Sequence, residues 1–472
     1  MAALHDLSAL EQAAAVRRRE TSAADLVEHY AERIARHDAA LGAFVTLTLD
    51  TAREQAREAD VAVAAGADLP PLHGVPIGIK DLNLTAGVPT KLGSPVFADF
   101  VPPLSEYVVE KLRAAGTISL GKTNTPEFGL PCYTEPEPQV APPARTPWDL
   151  TRSAGGSSGG AGAAVAGGLL PFAQGSDGGG SIRIPASVCG LFGIKPARGR
   201  ISAGPLVGDI TGLATNGPLA RTVRDAAALL DAMAGPMPGD PHWAPPAAQS
   251  FLAACDEEPG RLRIGRYRDN GLLSGGLHPE CLQAWEDASA LLVELGHEVE
   301  DVPAPFEASL VPVFETVWAV SAAGIPVDPA RECELGPLTR WLRERGRAAT
   351  ATQFTAALAA MQQATRRAIT ATARYDVVLT PTLAQLPAPV GWFSGAGDPR
   401  ADFDRMIGWT PFTATYNTSG QPAVSVPLHW SAEGLPVGVQ LVGRPADEAT
   451  LLRLSAQLEA ARPWRDRHPD LW

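Results

Sequence analysis

The chain has 472 residues, 45% hydrophobic and 19% charged, which supplies ample material for a core and gives no general sign of disorder. Its formal net charge of −13 argues against nucleic acid as the main partner and against a polybasic membrane patch. Its five scattered cysteines include no C-x-x-C pair, so they give no zinc signature and fit a reducing, cytoplasmic location.

The first elements in the chain are two helices and a strand. A helix is predicted over residues 7–18, and a second helix begins after Ser22, whose side chain pairs with Asp25 in a capping pattern. After a proline-rich turn, the apolar run V-P-I-G-I-K reads as a strand that ends on Lys80.

The next segment continues the alternation of helix and strand. Ser105 is predicted to cap a helix over residues 106–115, and T-I-S-L follows as a short strand. This alternation favours an α/β sheet. Residues 131–147 contain too many prolines for either regular element, so they predict an ordered surface loop.

The second half repeats the mixture of helices and strands. Thr222 is predicted to cap a helix that runs to Met233, and the Pro/Gly-rich residues 235–246 are the best candidate for a boundary. Strands are predicted at R-L-R-I-G-R-Y, D-V-V-L-T-P and A-V-S-V-P-L, and helices near residues 279–296, 306–323, 351–373 and 448–458. Residues 240–350 carry no chemical motif, so a substrate-pocket wall and plain scaffold are equally good hypotheses.

The glycine-rich centre is a poor match to nucleotide-binding loops. G-G-S-S-G-G-A-G at 155–162 lacks the lysine of a phosphate-binding loop, and G-S-D-G-G-G-S is a weak match to a dinucleotide fingerprint. Residues 155–159 also fit G-x-S-x-G, the nucleophile elbow of an α/β-hydrolase-type esterase, with Ser157 as nucleophile. That hypothesis needs a downstream histidine, for which His429 is the plausible member, and no oxyanion motif of the H-G-G type precedes it.

A third hypothesis needs no histidine. Acyl transfer requires a nucleophile, a proton acceptor and donors for the oxyanion. Three consecutive glycines can aim successive N–H groups at one point, which places Ser181 beside its own oxyanion hole. Lys80 can act as the base if burial lowers its pKa.

The order of these motifs resembles the amidase signature family. The resemblance is carried by V-P-I-G-I-K-D, S-A-G-G-S-S-G-G-A-G, G-S-D-G-G-G-S-I-R-I-P-A-S-V-C-G and G-I-K-P, and it extends over most of the chain to G-Q-P-A-V-S-V-P and G-L-P-V-G-V-Q-L-V-G. It implies one large α/β domain over residues 1–472, with a central mixed sheet flanked by helices on both faces. Within it we expect a catalytic core segment at 60–235 and a pocket-shaping region at 240–350.

The same resemblance implies a Ser–cis-Ser–Lys triad. Ser181 is then the nucleophile, Ser157 follows a cis peptide bond, and Lys80 is the base. The implied oxyanion hole consists of backbone N–H groups, those of Gly178, Gly179, Gly180 and Ser181.

Two neighbouring residues are expected to support this site. Ser158 either bonds within the triad or caps the following helix, and these alternatives are equally favoured. Asp177 is expected to brace the loop by accepting N–H bonds, or to pair with Arg183 or Arg152.

The substrate pocket is less well defined. Tyr133 and Gly156 are candidates for its lining, and Gly178 stands where a larger residue is common in the family. An apolar pocket would suit a group of aromatic residues, although core packing explains them as well: Phe314, Trp318, Trp341, Trp409 and Phe412.

These features predict an amidohydrolase that cleaves C–N bonds of small carboxamides or aryl and alkyl amides, with carbamates and esters sharing the same acyl chemistry. The alternatives are the A-type subunit of a glutamine-dependent tRNA amidotransferase, the elbow esterase, and a non-catalytic binding protein. No metal or other cofactor is expected, and a homodimer is left open. The N-terminus lacks a signal-peptide pattern and no run of about 18 apolar residues exists, so no membrane partner is expected.

Overall fold

The computed structural model describes residues 3–206, 208–273 and 275–472. Its strands are β1 Phe44–Leu47, β2 Pro76–Lys80, β3 Ile118–Thr123, β4 Phe172–Asp177, β5 Phe192–Lys195, β6 Thr215–Ala220, β7 Arg263–Arg266, β8 Glu298–Asp301, β9 Val377–Pro381, β10 Ala423–Trp430 and β11 Pro436–Gly443. Within the described residues they form one sheet of eleven strands in the order β1-β3-β2-β4-β6-β5-β10-β11-β9-β7-β8.

The sheet is mixed, which confirms the prediction. Strand β2 runs parallel to β3 and β4, and β7 runs parallel to β8 and β9. Between these groups, β6, β5, β10 and β11 pair antiparallel. Because β7 and β8 join the same sheet as β1–β6, the Pro/Gly-rich residues 235–246 do not separate two sheets.

Helices cover both faces of the sheet. The neighbouring residues Phe172 and Ala173 of β4 belong to two different apolar clusters, as expected from side chains that alternate along a strand. The helices are α1 Ala9–Arg17, α2 Ala23–Leu41, α3 Leu49–Ala64, α4 Tyr107–Ala114, α5 Gly159–Ala166, α6 Arg183–Cys189, α7 Val223–Met233, α8 Phe251–Ala254, α9 Pro279–Glu294, α10 Leu310–Ala323, α11 Pro337–Ala348, α12 Ala351–Thr372, α13 Pro399–Trp409, α14 Ala414–Ser419 and α15 Glu448–Ala461. In the described ranges, none of these helices is both long and apolar enough to cross a membrane.

Helix starts follow the predicted caps with one exception. The Oγ atoms of Ser22 and Thr222 accept the N–H groups of Asp25 and Asp225, at 2.9 and 3.0 Å. The prediction for Ser105 was wrong, because its Oγ accepts the N–H of Ala86 at 3.1 Å and α4 begins two residues later.

The proline-rich segment 131–147 contains no helix or strand, as predicted, but it is not a surface loop over its first part. Residues 131–134 are buried. These residues can be buried because a glycine, Gly156, packs against them: a Cβ on Gly156 would lie only 2.6–2.8 Å from the backbone of Tyr133. Glycine at this position therefore lets two backbones pack directly together.

Candidate active site

Lys80 is the last residue of β2 and is fully buried. Its Nζ donates to the Oγ of Ser157 at 2.8 Å, and to the Oγ and carbonyl oxygen of Ser176 at 3.0 and 3.3 Å. Burial lowers the pKa of Lys80 from its usual 10.5 to about 7, although the nearby charge of Asp177 opposes this shift. The Lys80 amine therefore contacts a serine hydroxyl, and the pKa of this amine suits a base near neutral pH.

Ser157 is buried and is preceded by a cis peptide bond to Gly156, the feature that the family resemblance implied. The residue is positioned just before α5, which begins at Gly159. The Gly159 N–H donates to the Oγ of Thr134 at 3.1 Å, which ties this turn to the buried part of the proline-rich segment.

Ser158 has a structural role that neither sequence alternative described. Its side chain makes no capping bond to α5, and no bond joins its Oγ to Lys80, Ser157 or Ser181. Instead, the Oγ donates to the carbonyl of Ser176 at 3.1 Å and accepts the N–H of the same residue at 3.2 Å. Because the backbone N–H of Ser158 also donates to the carbonyl of Ser181 at 3.2 Å, this residue links the paired serines to both β4 and the glycine turn.

Asp177 ends β4 and organises the turn that follows it. Its carboxylate accepts the N–H groups of Gly180 at 2.8 Å and Ile182 at 3.1 Å. Burial alone would raise the pKa of Asp177, but the charge and hydrogen bonds of Arg183 outweigh burial and hold this pKa well below its usual range. Asp177 thus braces the loop and pairs with Arg183, whereas Arg152 pairs with Asp149 and Glu433.

The fully buried Arg183 anchors this turn to the far end of the chain. Its guanidinium donates to both carboxylate oxygens of Asp177, at 2.9 and 3.0 Å. It also donates to the carbonyl of Thr413 at 2.9 Å, and to Gln440 and Asn417, each at 2.6 Å. A buried charge pair is tolerated when further hydrogen bonds satisfy its remaining groups, and this pair meets that condition.

The predicted set of four oxyanion donors needs one correction. The N–H of Gly180 points at the carboxylate of Asp177, because that buried acid needs donors, so this group braces the turn. Gly178, Gly179 and Ser181 remain as the candidate donors. The carbonyl of Gly179 accepts the Oγ of Thr413 at 2.7 Å, which fixes the orientation of the following peptide group.

Ser181 lines a cleft that encloses about 830 Å³, its open mouth included. The lining residues are mainly apolar and come from the proline-rich segment, α10 and the chain around α13 and α14: Leu130, Pro131, Cys132, Phe314, Trp318, Phe403, Met406, Ile407, Pro411 and Ala414 among them.

The pocket candidates Tyr133 and Gly156 do not line this cleft. The ring of Tyr133 is buried and stacks on Phe393, with ring centroids 4.5 Å apart and planes at 3°. Sequence reasoning placed the pocket beside the paired serines, but the cleft opens toward α10, and it includes Phe314 and Trp318 from the group of aromatic residues singled out above. The other members of that group, Trp341, Trp409 and Phe412, pack elsewhere.

The histidine of the elbow hypothesis is engaged elsewhere. The Nε2 of His429 lies 2.8 Å from Glu280, and its Nδ1 lies 3.4 Å from Asp287, both on α9. Ser157 instead bonds to Lys80. Among the described residues, no cluster of three or more His, Cys, Asp or Glu side chains forms a metal-binding group.

The chain is similar to known amidases over nearly its whole length. The Amidase family model matches residues 25–452. The chain is 38% identical to the 6-aminohexanoate-cyclic-dimer hydrolase of Paenarthrobacter ureafaciens, over 98% of this chain and 96% of that protein. It is 36% identical to an acylamidase of Rhodococcus erythropolis, over 99% and 98%. The solved structure of 6-aminohexanoate cyclic dimer hydrolase complexed with substrate matches with a TM-score of 0.91 and 35% identity, covering 99% of each chain.

Proposed function

From the premise that this chain belongs to the amidase signature family and hydrolyses non-peptide C–N bonds, we propose that it cleaves small carboxamides and aryl or alkyl amides through an acyl-enzyme on Ser181. The observation that carries the proposal is the 2.8 Å contact between the Nζ of Lys80 and the Oγ of Ser157. A lysine whose pKa is about 7 is substantially neutral at neutral pH, so it can accept a proton.

The acylation step is a proton relay. Neutral Lys80 takes the proton of Ser157, Ser157 takes the proton of Ser181, and the Oγ of Ser181 attacks the carbonyl carbon. The carbonyl oxygen gains negative charge where backbone N–H groups supply hydrogen bonds. We assign this role to Gly178, Gly179 and Ser181.

The relay then runs in reverse. Ser157 gives its proton to the departing nitrogen as the C–N bond breaks, and Lys80 returns a proton to Ser157. Water attacks the ester on Ser181, is deprotonated through the same pair, and releases the free acid while Ser181 recovers its proton. An amine leaves only when it is protonated, so a group that both accepts and donates suits amide substrates.

We extend the proposal to carbamates and esters, because their acyl carbons undergo the same attack. An ester needs less help from the relay, since an alkoxide is a better leaving group than an amide anion. We therefore expect loss of Ser157 to reduce amide hydrolysis more than ester hydrolysis.

The proposal is tested by covalent labelling and turnover of the purified chain. Ser181→Ala should abolish labelling by a fluorophosphonate and hydrolysis of a p-nitroanilide, and Ser157→Ala and Lys80→Ala should slow both severely. If Ser181→Ala is tolerated while His429→Ala is inactive, the elbow esterase replaces this mechanism. If glutamine is hydrolysed only when a partner chain is added, and no anilide is cleaved, the amidotransferase subunit replaces it.

A further inference from the structure

Two aromatic side chains of α10 form a continuous surface in the cleft. Phe314 and Trp318 are four residues apart, which places them on the same side of the helix. Their rings stack with centroids 5.4 Å apart and planes at 20°. Both line the cleft that contains Ser181, and both are half-buried, so part of each side chain can contact a bound molecule.

This aromatic pair lies directly against the glycine turn. A Cβ on Gly178 would lie 3.3 Å from Cη2 and 3.4 Å from Cζ3 of Trp318. A Cβ on Gly179 would lie 3.8 Å from Cζ of Phe314. The indole therefore fills the space that a side chain at position 178 would need, which makes Gly178 and Trp318 a complementary pair.

The position of the pair indicates which part of a substrate it contacts. In the proposed acyl-enzyme the acyl group stays bonded to the Oγ of Ser181, and Ser181 lines the cleft. The acyl side of the substrate therefore lies in the cleft, beside the two rings.

The charged residues of the cleft lining indicate which acyl groups it can bind. Within the described residues, Glu307 is the one charged side chain of the lining, and no lysine, arginine or histidine is present. A substrate carboxylate would be desolvated there without a counter-charge, which is unfavourable.

We propose that Trp318, supported by Phe314, determines the acyl specificity of this enzyme. The pair selects uncharged acyl groups that are flat or unbranched next to the carbonyl, and it excludes groups that branch at that carbon. This inference rests on the proposed attack by Ser181, because that step sets the orientation of the substrate.

The test measures kcat/KM for four p-nitroanilides: benzoyl, hexanoyl, the α-branched pivaloyl, and the anionic succinyl compound. Wild-type enzyme should prefer benzoyl and hexanoyl. Trp318→Leu should raise the ratio of pivaloyl to hexanoyl turnover by about tenfold, the discrimination that a few methyl groups give in an apolar pocket. The matched control is Trp285→Leu, which removes a buried indole of α9 that is not part of the cleft, and it should leave this ratio unchanged.

A second pair of variants tests the contact itself. Gly178→Ala alone should lower turnover because the added Cβ meets the indole, and Gly178→Ala combined with Trp318→Leu should lose less than the product of the two single effects. If Trp318→Leu fails to fold, Trp318→Phe removes the same two contact atoms with less loss of volume.

The outcomes separate this inference from the proposed function. If the wild type cleaves the anilides but every variant keeps the wild-type order of acyl groups, the specificity role is wrong and the hydrolytic mechanism stands. If the wild type cleaves none of them and Ser181 is not labelled by the fluorophosphonate, the proposed function fails first.

Discussion

The amine of Lys80 and the hydroxyl of Ser157 form a hydrogen bond of 2.8 Å, with the lysine wholly buried at the end of β2. Burial gives this amine a pKa of about 7, and the same burial ties the activity and the stability of the protein to pH.

The rate of acylation should depend on the protonation state of Lys80. Because only the neutral amine can accept a proton, kcat/KM for an anilide should rise with pH through about 7 and then level off. The profile should be recorded from pH 5.5 to 9. Lys80→Arg provides the control, since its guanidinium stays charged and the enzyme should be inactive throughout. A wild-type profile that is flat over this range contradicts Lys80 as the base.

The free energy of unfolding should also depend on pH through the pKa of Lys80. The folded state lowers the pKa of Lys80 from 10.5 to about 7, so between these values the unfolded chain binds the extra proton. The free energy of unfolding of the wild type should therefore rise with pH across this window, relative to Lys80→Met, by up to about 1.4 kcal/mol per pH unit. Urea unfolding of both proteins at pH 7, 8 and 9 measures the difference. Parallel pH dependences would show that burial does not shift this amine.

Removal of the Asp177 charge should affect both folding and catalysis. Asp177→Asn leaves the guanidinium of Arg183 buried without its counter-charge, which costs about 3–5 kcal/mol of unfolding free energy. It also weakens the brace on the glycine turn, so labelling of Ser181 should slow by about 100-fold or more.

A second buried pair supplies the control for Asp177→Asn. Glu448 is fully buried and lies 2.9 Å from Arg200, outside the candidate site. Glu448→Gln should cost similar stability but leave the labelling rate of the folded protein near that of the wild type. Equal loss of labelling in both variants would mean that Asp177 affects the reaction only through stability.

Thr413 should influence the rate without affecting substrate binding. Its Oγ donates to the carbonyl of Gly179 at 2.7 Å and so orients the turn that carries the proposed oxyanion donors. Thr413→Val keeps the shape and removes the hydroxyl, and kcat should fall about 10- to 100-fold with KM nearly unchanged. Thr413→Ser retains the donor and should recover most of the rate. A change confined to KM would assign Thr413 to the pocket instead.

The close approach of Tyr133 and Gly156 predicts a strict need for glycine. A Cβ at position 156 would contact backbone atoms, which cannot move aside as a flexible side chain does. Gly156→Ala should therefore lower the free energy of unfolding by about 3 kcal/mol or more, or prevent folding. Gly208→Ala, where no heavy atom of the described residues beyond the chain neighbours lies within 4 Å of the added carbon, should change it by less than about 0.5 kcal/mol. Thermal melting of the two variants measures the difference, and equal melting temperatures would contradict the need for glycine at position 156.

The sequence predicted those parts of the candidate site whose residues form a short contiguous motif. The apolar strand ending on Lys80, the paired serines and the glycine turn each have a local signature, and cap residues such as Ser22 and Thr222 correctly mark where helices begin. The bracing of the loop by Asp177 was predicted as well, but the sequence assigned the Gly180 N–H to the oxyanion hole and not to this carboxylate.

The parts that sequence missed depend on distant neighbours. Residues 131–134 are buried only because Gly156 and Gly159 face them without side chains, and no local pattern in a proline-rich segment reports what lies opposite. The cleft wall draws on α10 and the chain around α13 and α14, more than 100 residues from Ser181. No local sequence pattern predicts that those helices lie beside Ser181.

The division of the site between two parts of the chain has a practical consequence. Lys80, Ser157 and Ser181 are held by the sheet and the turns at its edge, whereas the aromatic wall belongs to α10, which carries none of these three residues. An engineer can therefore exchange the cleft-lining side chains of Leu310–Ala323, while the buried Val317, Ala319 and Ala322 keep the helix in its place. New substrates would then be sought by changing a few positions of one helix, with the proposed catalytic residues the same in every variant.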